Sequence, residues 1–563
     1  MKNKSKKLPP DNLFHTRAGD TPPVLWGGAE KFWLGDAQLQ ECIEAFYTAA
    51  RRENCVESSW LEFFHSRRET CATLSSVEDD VRNALLLVAA TRARIDLDEI
   101  DLDKNMDMES KNAQCDPLVD FLRKVEIPFT IFYNTPSPTG REAFMLEDAR
   151  RELSNALSRH FDDNGVPSSA AERWFRMWAA SLTRLKFMEQ ASCATLFGDD
   201  ETLRFEKIVR ALLYFTRGDG ESIFAHPQEE GKTWSAELFI AALQMDSNRE
   251  DKALGVSILP GLKSQKAASL KKILPQCALD SAAEDLAILR SNWQNSPLVA
   301  LRCRNRKMDI EIEGGRASIL SGAWDAVISW NGEKLSPENE WAQVCRHGDD
   351  ECEFVEWEQP WSQNFVLQRS ALLSHKGCFA LLADAVLGPK GVGKGSLLYR
   401  ASCPIGDGIR FAPQERSFEL LALDANDRRK ARLLPIGLPE WKSQAGEDEY
   451  FEIYRGWLEY GLHSRRASIF APIFVDLKAD RLRAPLTWRR LAVGENLKKV
   501  SSRKAVAFRV MISDEQWLFY RSLGPIVPRS VLGAHLYAEY VAARFLEIGQ
   551  TVPILIVDSR EGE

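Results

Sequence analysis

The stretch from Phe365 to Leu387, FVLQRSALLSHKGCFALLADAVL, constrains this chain more than any other. Two apolar, strand-like runs flank His375-Lys376-Gly377, where Gly377 is placed to supply the positive φ that a tight turn needs. Both arms are nearly continuous in Leu, Val, Phe and Ala, the pattern of strands covered on both faces. The run reads as the central hairpin of a large antiparallel β domain.

The rest of the chain divides around that reading. Strand-like segments begin near Leu286 with LAILR, LVALRCR, MDIEIE and AVISW, and recur to the C-terminus as GIRFA, SFELLAL, ARLLPIG, ASIFAPIFVDL, AVAFRVMI, WLFYRSL and VPILIVD. Turn signals at Asn295-Ser296-Pro297, Gly314-Gly315 and Asn331-Gly332 separate the first of them, which argues for antiparallel sheets packed as a sandwich. Upstream the period is helical. Apolar positions recur three and four apart through Leu39–Ala50, Val77–Arg94, Leu146–Phe161, Trp174–Met188 and Phe205–Leu213. The expected fold class is therefore α+β and multidomain, an all-α N-terminal half followed by a large antiparallel β-sandwich. Residues 1–35 read as a flexible tail, 36–285 as the all-α domain (a toroid-like or simpler helical array, with an acidic linker near 95–112), and 286–563 as the sandwich. Pro128–Tyr133 reads as a single strand or extended connector, and Ser530–Ile548 fits helix and strand equally.

Charge and cysteine usage narrow the function classes. A net charge of -8 gives no global attraction to nucleic acid or to an anionic membrane, so an anion site has to be a local patch. No run approaches a membrane span, and the basic start MKNKSKKLPPDN lacks an apolar segment behind it. The eleven cysteines are odd in number and without paired spacing, as in reduced intracellular proteins. The expectation is a cytoplasmic protein with no cofactor, no nucleic-acid partner and no membrane contact; its oligomeric state is left open.

Three motifs are better read as structure than as sites. Asp101, Asp103 and Asn105 imitate the start of a calcium loop, but Met106 stands where glycine turns the chain and Asn112 where a bidentate Glu is needed. Gly388–Ser396, GPKGVGKGS, matches a phosphate-binding loop until Gly395, which replaces the magnesium-binding hydroxyl, and LLYRASCP runs only eight residues to Pro404 where a helix should open. Zinc at Cys345, His347 and Cys352 would need those side chains to converge with a fourth ligand; the simpler reading makes HGDD the turn between two strands. No metal ligand is assigned. The Trp174/Trp178 stripe reads as core.

One concentration of charge suggests a ligand. Arg481, Arg483, Arg489, Arg490, Lys498, Lys499, Arg503 and Lys504 fall in 24 residues with a single acid, Glu495, and with Trp488 among them. Just upstream lie Tyr454, Trp457, Tyr460, His463, Arg465 and Arg466. Guanidinium groups match carboxylate or sulfate, and aromatic rings match sugar faces. Trp457, Trp488, Arg489, Arg490, Lys498 and Lys499 are the expected contacts to an acidic polysaccharide; the alternative is a solvated basic face that offsets the acidic helices.

From Trp341 to Leu387 a Cys-Arg-His-Gly-Asp-Asp turn precedes VEWEQPW, then NFVLQRSALL and GCFALLADAVL. This run, together with the helical half before it, resembles the heparinase II/III-like polysaccharide lyases. The resemblance implies a helical domain followed by a β-sandwich, and a Tyr/His pair that abstracts the proton α to a uronate carboxylate while Arg or Asn neutralises that carboxylate. The H-x-H-x-D strand motif of the family is absent. Carried onto this chain, the roles fall to Tyr460 as acid/base, His463 as base or neutraliser, and Arg465; on one strand His463 and Arg465 share a face and Tyr460 takes the other. The sequence thus favours a non-catalytic, lyase-like binder of acidic polysaccharide over an active lyase or an intracellular scaffold.

Overall fold

The computed structural model describes residues 77–92, 116–135, 138, 140–192, 194–224, 236–246, 248–259, 273–293, 297–546 and 550–558, with positions 41, 42, 45, 46, 59 and 62 before them. The tail over 1–35, the acidic segment with Asp101, Asp103 and Asn105, the Asn295-Ser296 turn and most of Leu39–Ala50 lie outside the described residues. Two compact units divide at Pro275/Gln276. Among the described residues no helix is long and apolar enough to cross a membrane.

In the first unit the helices Val77–Arg92, Gly140–His160, Phe175–Ala191, Asp199–Tyr214, Ala236–Met245 and Arg249–Ile258 bury their apolar stripes against one another. Trp174 and Trp178 belong to that core, Trp178 packing 4.6 Å from the Phe121 ring. Pro128–Tyr133 is helical, contrary to the strand or extended connector expected. Asp116 caps Pro117–Phe121 by accepting from the Leu118 N–H at 2.9 Å, and a π-helical turn carries the chain into the helix Ile127–Asn134. Proline is tolerated there because it occupies the first turn of that segment. In the π turn Glu126, fully buried, receives Arg184 through Nε at 2.6 Å and Nη2 at 2.9 Å.

The second unit is antiparallel throughout. Its centre is an eight-stranded sheet ordered Arg410–Pro413, Leu420–Leu423, Arg429–Leu434, Ser468–Asp476, Phe379–Leu387, Phe365–Ser374, Cys352–Trp361, Ala342–Gly348. The hairpin Phe365–Leu387 thus holds two inner positions, and its arms are buried almost without break. Phe379, Phe474 and Phe354 pack one face of this sheet onto Trp517, Phe519 and Tyr540 of a five-stranded sheet formed by Leu486–Leu491, Ala505–Ile512, Glu515–Ser522, Tyr540–Phe545 and Thr551–Val557. The other face meets a second five-stranded sheet, Tyr450–Tyr454, Trp457–Ser464, Leu397–Pro404, Asp325–Trp330, Glu333–Lys334. The described part of Ser530–Ile548, open from sequence, forms strands: Arg529–Val531, Ala534–Leu536 and Tyr540–Phe545.

Two details of the hairpin turn differ from expectation. The positive φ, 47°, belongs to Cys378 and not to Gly377. Gly377 is needed for space, since a Cβ there would sit 2.6 Å from the Phe379 ring and 2.8 Å from Ser374 Oγ.

A buried charged cluster meets the hairpin on each face. Arg369 and Asp384 stand opposite one another in the register, joined by Nε–Oδ1 at 2.8 Å and Nη2–Oδ2 at 2.7 Å. Tyr399 of the strand Leu397–Pro404 donates to Asp384 Oδ2 at 2.5 Å, and the guanidinium lies 4.0 Å from the Trp324 ring. Gln368, next in sequence, faces the other way and accepts from Arg521, which also pairs with Glu356 at 2.8 Å and Glu539 at 3.0 Å. Removing one member of a buried pair strands the other charge. Asp384→Asn is therefore expected to cost about 3–5 kcal/mol and Tyr399→Phe about 2 kcal/mol in urea unfolding at neutral pH; an Asp384→Asn loss within about 1 kcal/mol would contradict this.

Candidate functional site

The sheet that packs on the hairpin through Tyr399 turns its other face outward. Alternation along Leu397–Pro404 sends Tyr399 inward and Arg400 outward. Register then decides what surrounds Arg400. It stands opposite Gly461 of Trp457–Ser464, and Gly461 is in turn opposite Tyr450 of the edge strand Tyr450–Tyr454. The Tyr450 ring occupies the space where a side chain at 461 would be, 2.3 Å from an ideal Cβ. Gly461 is thus the gap that lets an aromatic ring lie across the sheet face. Burial raises the Tyr450 phenol above its ordinary value, and the nearby Arg400 draws it back.

At one end of this face the chain is basic. His463 Nε2 is 3.0 Å from the hydroxyl of Ser396, the last residue of the Gly388–Ser396 loop. Asn331 Oδ1 accepts from the Ser396 N–H at 2.8 Å, and the Gly395 N–H reaches the Arg465 carbonyl at 3.4 Å. The loop therefore places Lys394 beside Arg465, and both side chains are exposed. Because the loop leads into the strand Leu397–Pro404 and not into a helix, it offers no helix N-terminus to a phosphate. At the opposite end, Tyr454 and Trp457 are cross-strand partners, 51% and 37% exposed.

The structure separates the residues expected from sequence. His463, Arg465 and Trp457 join the outward face or its rim. Tyr460 does not. It points inward, 1% exposed, and burial pushes its phenol well above the ordinary value, the reverse of what proton transfer at neutral pH needs. Trp488 is also core, 1% exposed, donating from Nε1 to the Leu438 carbonyl at 3.0 Å, so it offers no ring to a sugar. Arg481 leaves the basic run too, held at 3.0 Å through Nε by Asp476 in a buried cluster with Glu515. Arg489 and Arg490 are exposed on the edge strand Leu486–Leu491. Arg490 keeps a solvent-facing side, yet crowding around it lowers its guanidinium pKa, which the charge of Glu449 opposes. Glu449 immediately precedes Tyr450, which brings this arginine towards the same edge. Lys498 and Lys499 lie apart, exposed on a small sheet with Gly494–Glu495, Arg529–Val531 and Ala534–Leu536.

Sequence reasoning missed Lys394, Arg400 and Tyr450 as members of one patch. No local signal joins them, since only the pairing of Leu397–Pro404 with Trp457–Ser464 and of the latter with Tyr450–Tyr454 does so. Of the three residues weighed and not assigned as zinc ligands, His347 and Cys352 converge, with Asp349 and not Cys345 as the third member. The HGDD turn itself is present, between the strands Ala342–Gly348 and Cys352–Trp361.

Besides the half-buried Tyr450, three phenols sealed in the core, Tyr399, Tyr460 and Tyr540, are raised chiefly by burial. A phenol whose folded pKa exceeds its unfolded value near 10 stabilises nothing extra below that pH, and ionises only in the unfolded chain just above it. Stability is therefore expected to fall from about pH 10 upward, by roughly 1.4 kcal/mol per pH unit for each such phenol. An absorbance titration of the ten tyrosines should show these three silent until unfolding; smooth ionisation of all ten in the folded protein would contradict the burial.

No protein-family model and no curated protein matches the chain. Solved structures do. The chain is similar to a heparinase III gene product with methylated lysines, at TM-score 0.52 and 11% identity over 79% of this chain and 73% of that one. A second heparinase III gives TM-score 0.51 and 10% identity over 86% and 83%. A mutant of the heparan sulfate lyase HepC from Pedobacter heparinus gives 0.50 and 10% over 91% and 85%. At such identity the likeness is one of fold, and a weak one: this chain shares the helical-unit-plus-antiparallel-sheet architecture of the heparinase III and heparan sulfate lyase structures.

Proposed function

We propose that the second unit binds an acidic polysaccharide on the outward face of the sheet Tyr450–Tyr454, Trp457–Ser464, Leu397–Pro404, and does so without cleaving it. One observation carries the reading: the Tyr450 ring laid across Gly461, with Arg400 opposite that glycine and His463, Arg465 and Lys394 at the basic end. A pyranose presents an apolar face to an aromatic ring, and its carboxylate or sulfate groups are met by guanidinium and ammonium donors. The fold neighbours named heparinase III and heparan sulfate lyase add support, since heparin and heparan sulfate are acidic polysaccharides. Fold alone does not fix function, so the weight rests on the side chains.

Binding is favoured over β-elimination because the acid/base expected from sequence is unavailable. Tyr460 is sealed in the core, and His463 meets the Ser396 hydroxyl instead of that phenol. With Tyr460 out of reach, a uronate held here would have its charge neutralised without the phenol expected to act on its α-proton.

The test pairs a binding measurement with a chemical one. On heparin resin the Arg400→Ala/Arg465→Ala protein should elute at clearly lower salt, with affinity for heparan sulfate oligosaccharides weakened about tenfold, or ~1.4 kcal/mol. Tyr450→Ala should weaken binding several-fold, while Lys498→Ala/Lys499→Ala should change little. Arg489→Ala/Arg490→Ala should give an intermediate loss. Unsaturated uronate, read by its ultraviolet absorbance, should not accumulate from a panel of uronate polymers. Absorbance that grows with enzyme and vanishes in His463→Ala would make the protein a lyase and overturn the non-catalytic reading. Unchanged retention of Arg400→Ala/Arg465→Ala would remove the site.

A further inference from the structure

Away from the outward sheet face, the turn between Ala342–Gly348 and Cys352–Trp361 gathers three different donor types. Ligand atoms of His347, Asp349 and Cys352 lie within 4.8 Å of one another, and His347 Nε2 is 3.1 Å from Asp349 Oδ2. The backbone fixes this arrangement. Asp349 Oδ1 accepts from the N–H groups of Glu351 at 2.8 Å and Cys352 at 2.9 Å, which turns Oδ2 towards the imidazole. Cys352 opens the next strand with its Sγ buried, 3.4 Å from the Ile554 carbonyl.

The donor set discriminates among cations. Calcium and magnesium take oxygen ligands, whereas one imidazole nitrogen, one thiolate and one carboxylate suit a borderline divalent ion. Ligand atoms around a tetrahedral ion of this kind stand about 3.5 Å apart. The His347 and Asp349 side chains are 42% and 45% exposed at the strand end, so the contraction falls on side chains free to make it. There is also room beside the turn. Glu351 and Ile554, each bonded to a member of the triad, line a cavity of about 320 Å³ together with Ser374, Lys376, Trp517 and Arg544.

We propose that this turn is a binding site for a zinc-class divalent cation, with His347 Nε2, an Asp349 carboxylate oxygen and Cys352 Sγ as protein ligands and a fourth position open to water or an exogenous donor. Loading breaks the Cys352 S–H bond and its contact with the Ile554 carbonyl. The proton leaves to solvent, the sulfur binds as thiolate and His347 binds as neutral imidazole, with no redox change. Three protein ligands and one open position is the pattern of a reactive, and not a purely structural, zinc site.

The test uses the full chain, stripped with chelator and titrated with cobalt(II), whose thiolate charge-transfer band reports a Co–S bond. One equivalent should produce that band together with the visible bands of tetrahedral cobalt, and zinc(II) should abolish both. Cys345→Ser should leave the spectrum unchanged, Cys352→Ser should remove the charge-transfer band, and His347→Ala should weaken cobalt binding at least tenfold. Because Cys352 is buried, circular dichroism of Cys352→Ser serves as a folding control, and the exposed His347→Ala variant tests the site independently of it. Absence of the band in the wild-type protein, its survival in a folded Cys352→Ser, or cobalt affinity unchanged in His347→Ala would each overturn the proposal.

Discussion

The second unit depends on one buried ion pair. Arg369 and Asp384 face each other across the central hairpin, and neither has access to solvent. Taking both charges out of water costs several kcal/mol per ion before their attraction and hydrogen bonds offset it. The geometry is accordingly saturated: two Arg–Asp contacts, the Trp324 carbonyl, an indole face and the Tyr399 hydroxyl. A one-residue slip of the hairpin would send Arg369 and Asp384 to opposite partners and leave each stranded, so the pair fixes register as strongly as any apolar contact. Tyr399 transmits this constraint to the neighbouring sheet. Because it is pinned inward, Arg400 has to point out, into the patch with Gly461 and Tyr450. The core and the candidate site are thus set by consecutive residues.

The opposite face repeats the device. Gln368 and Glu356 receive Arg521 from the covering sheet, so the hairpin strand is tied through polar groups on both sides. A sheet covered on two faces by apolar contacts alone has many near-equivalent ways to slide. Two directional networks on adjacent residues select one of them.

How much of this was legible varied with the range of the interaction. The hairpin Phe365–Leu387 was readable because its double burial writes a continuous apolar run. The opposite faces of Tyr460 and His463 followed from period alone. Ile127–Asn134 was misread, since β-branched and aromatic residues favour strand while a capped, continuing helix upstream overrides that preference. Trp488 was taken for a ligand contact because arginines flank it, yet alternation on a half-buried strand sends the tryptophan into the core. The patch around Arg400 was invisible for a different reason. Its members lie on three strands brought together only by pairing, and its central feature is a glycine that gives way to a neighbour's ring. The His347 turn was half legible: the convergence of His347 and Cys352 could be asked of the sequence, but Asp349 joins them because it lies in the turn, while Cys345 stands two residues back along the strand.

Hydrogen exchange of the protein with and without a heparan sulfate oligosaccharide tests the account most directly, because it locates contact without presupposing which residues make it. Slowed exchange is expected in Tyr450–Ser464 and in residues 394–400, with the strand Leu486–Leu491 weakly affected. Protection confined to other segments, or a bound oligosaccharide that leaves Tyr450–Ser464 unchanged, would contradict a glycan site on this face.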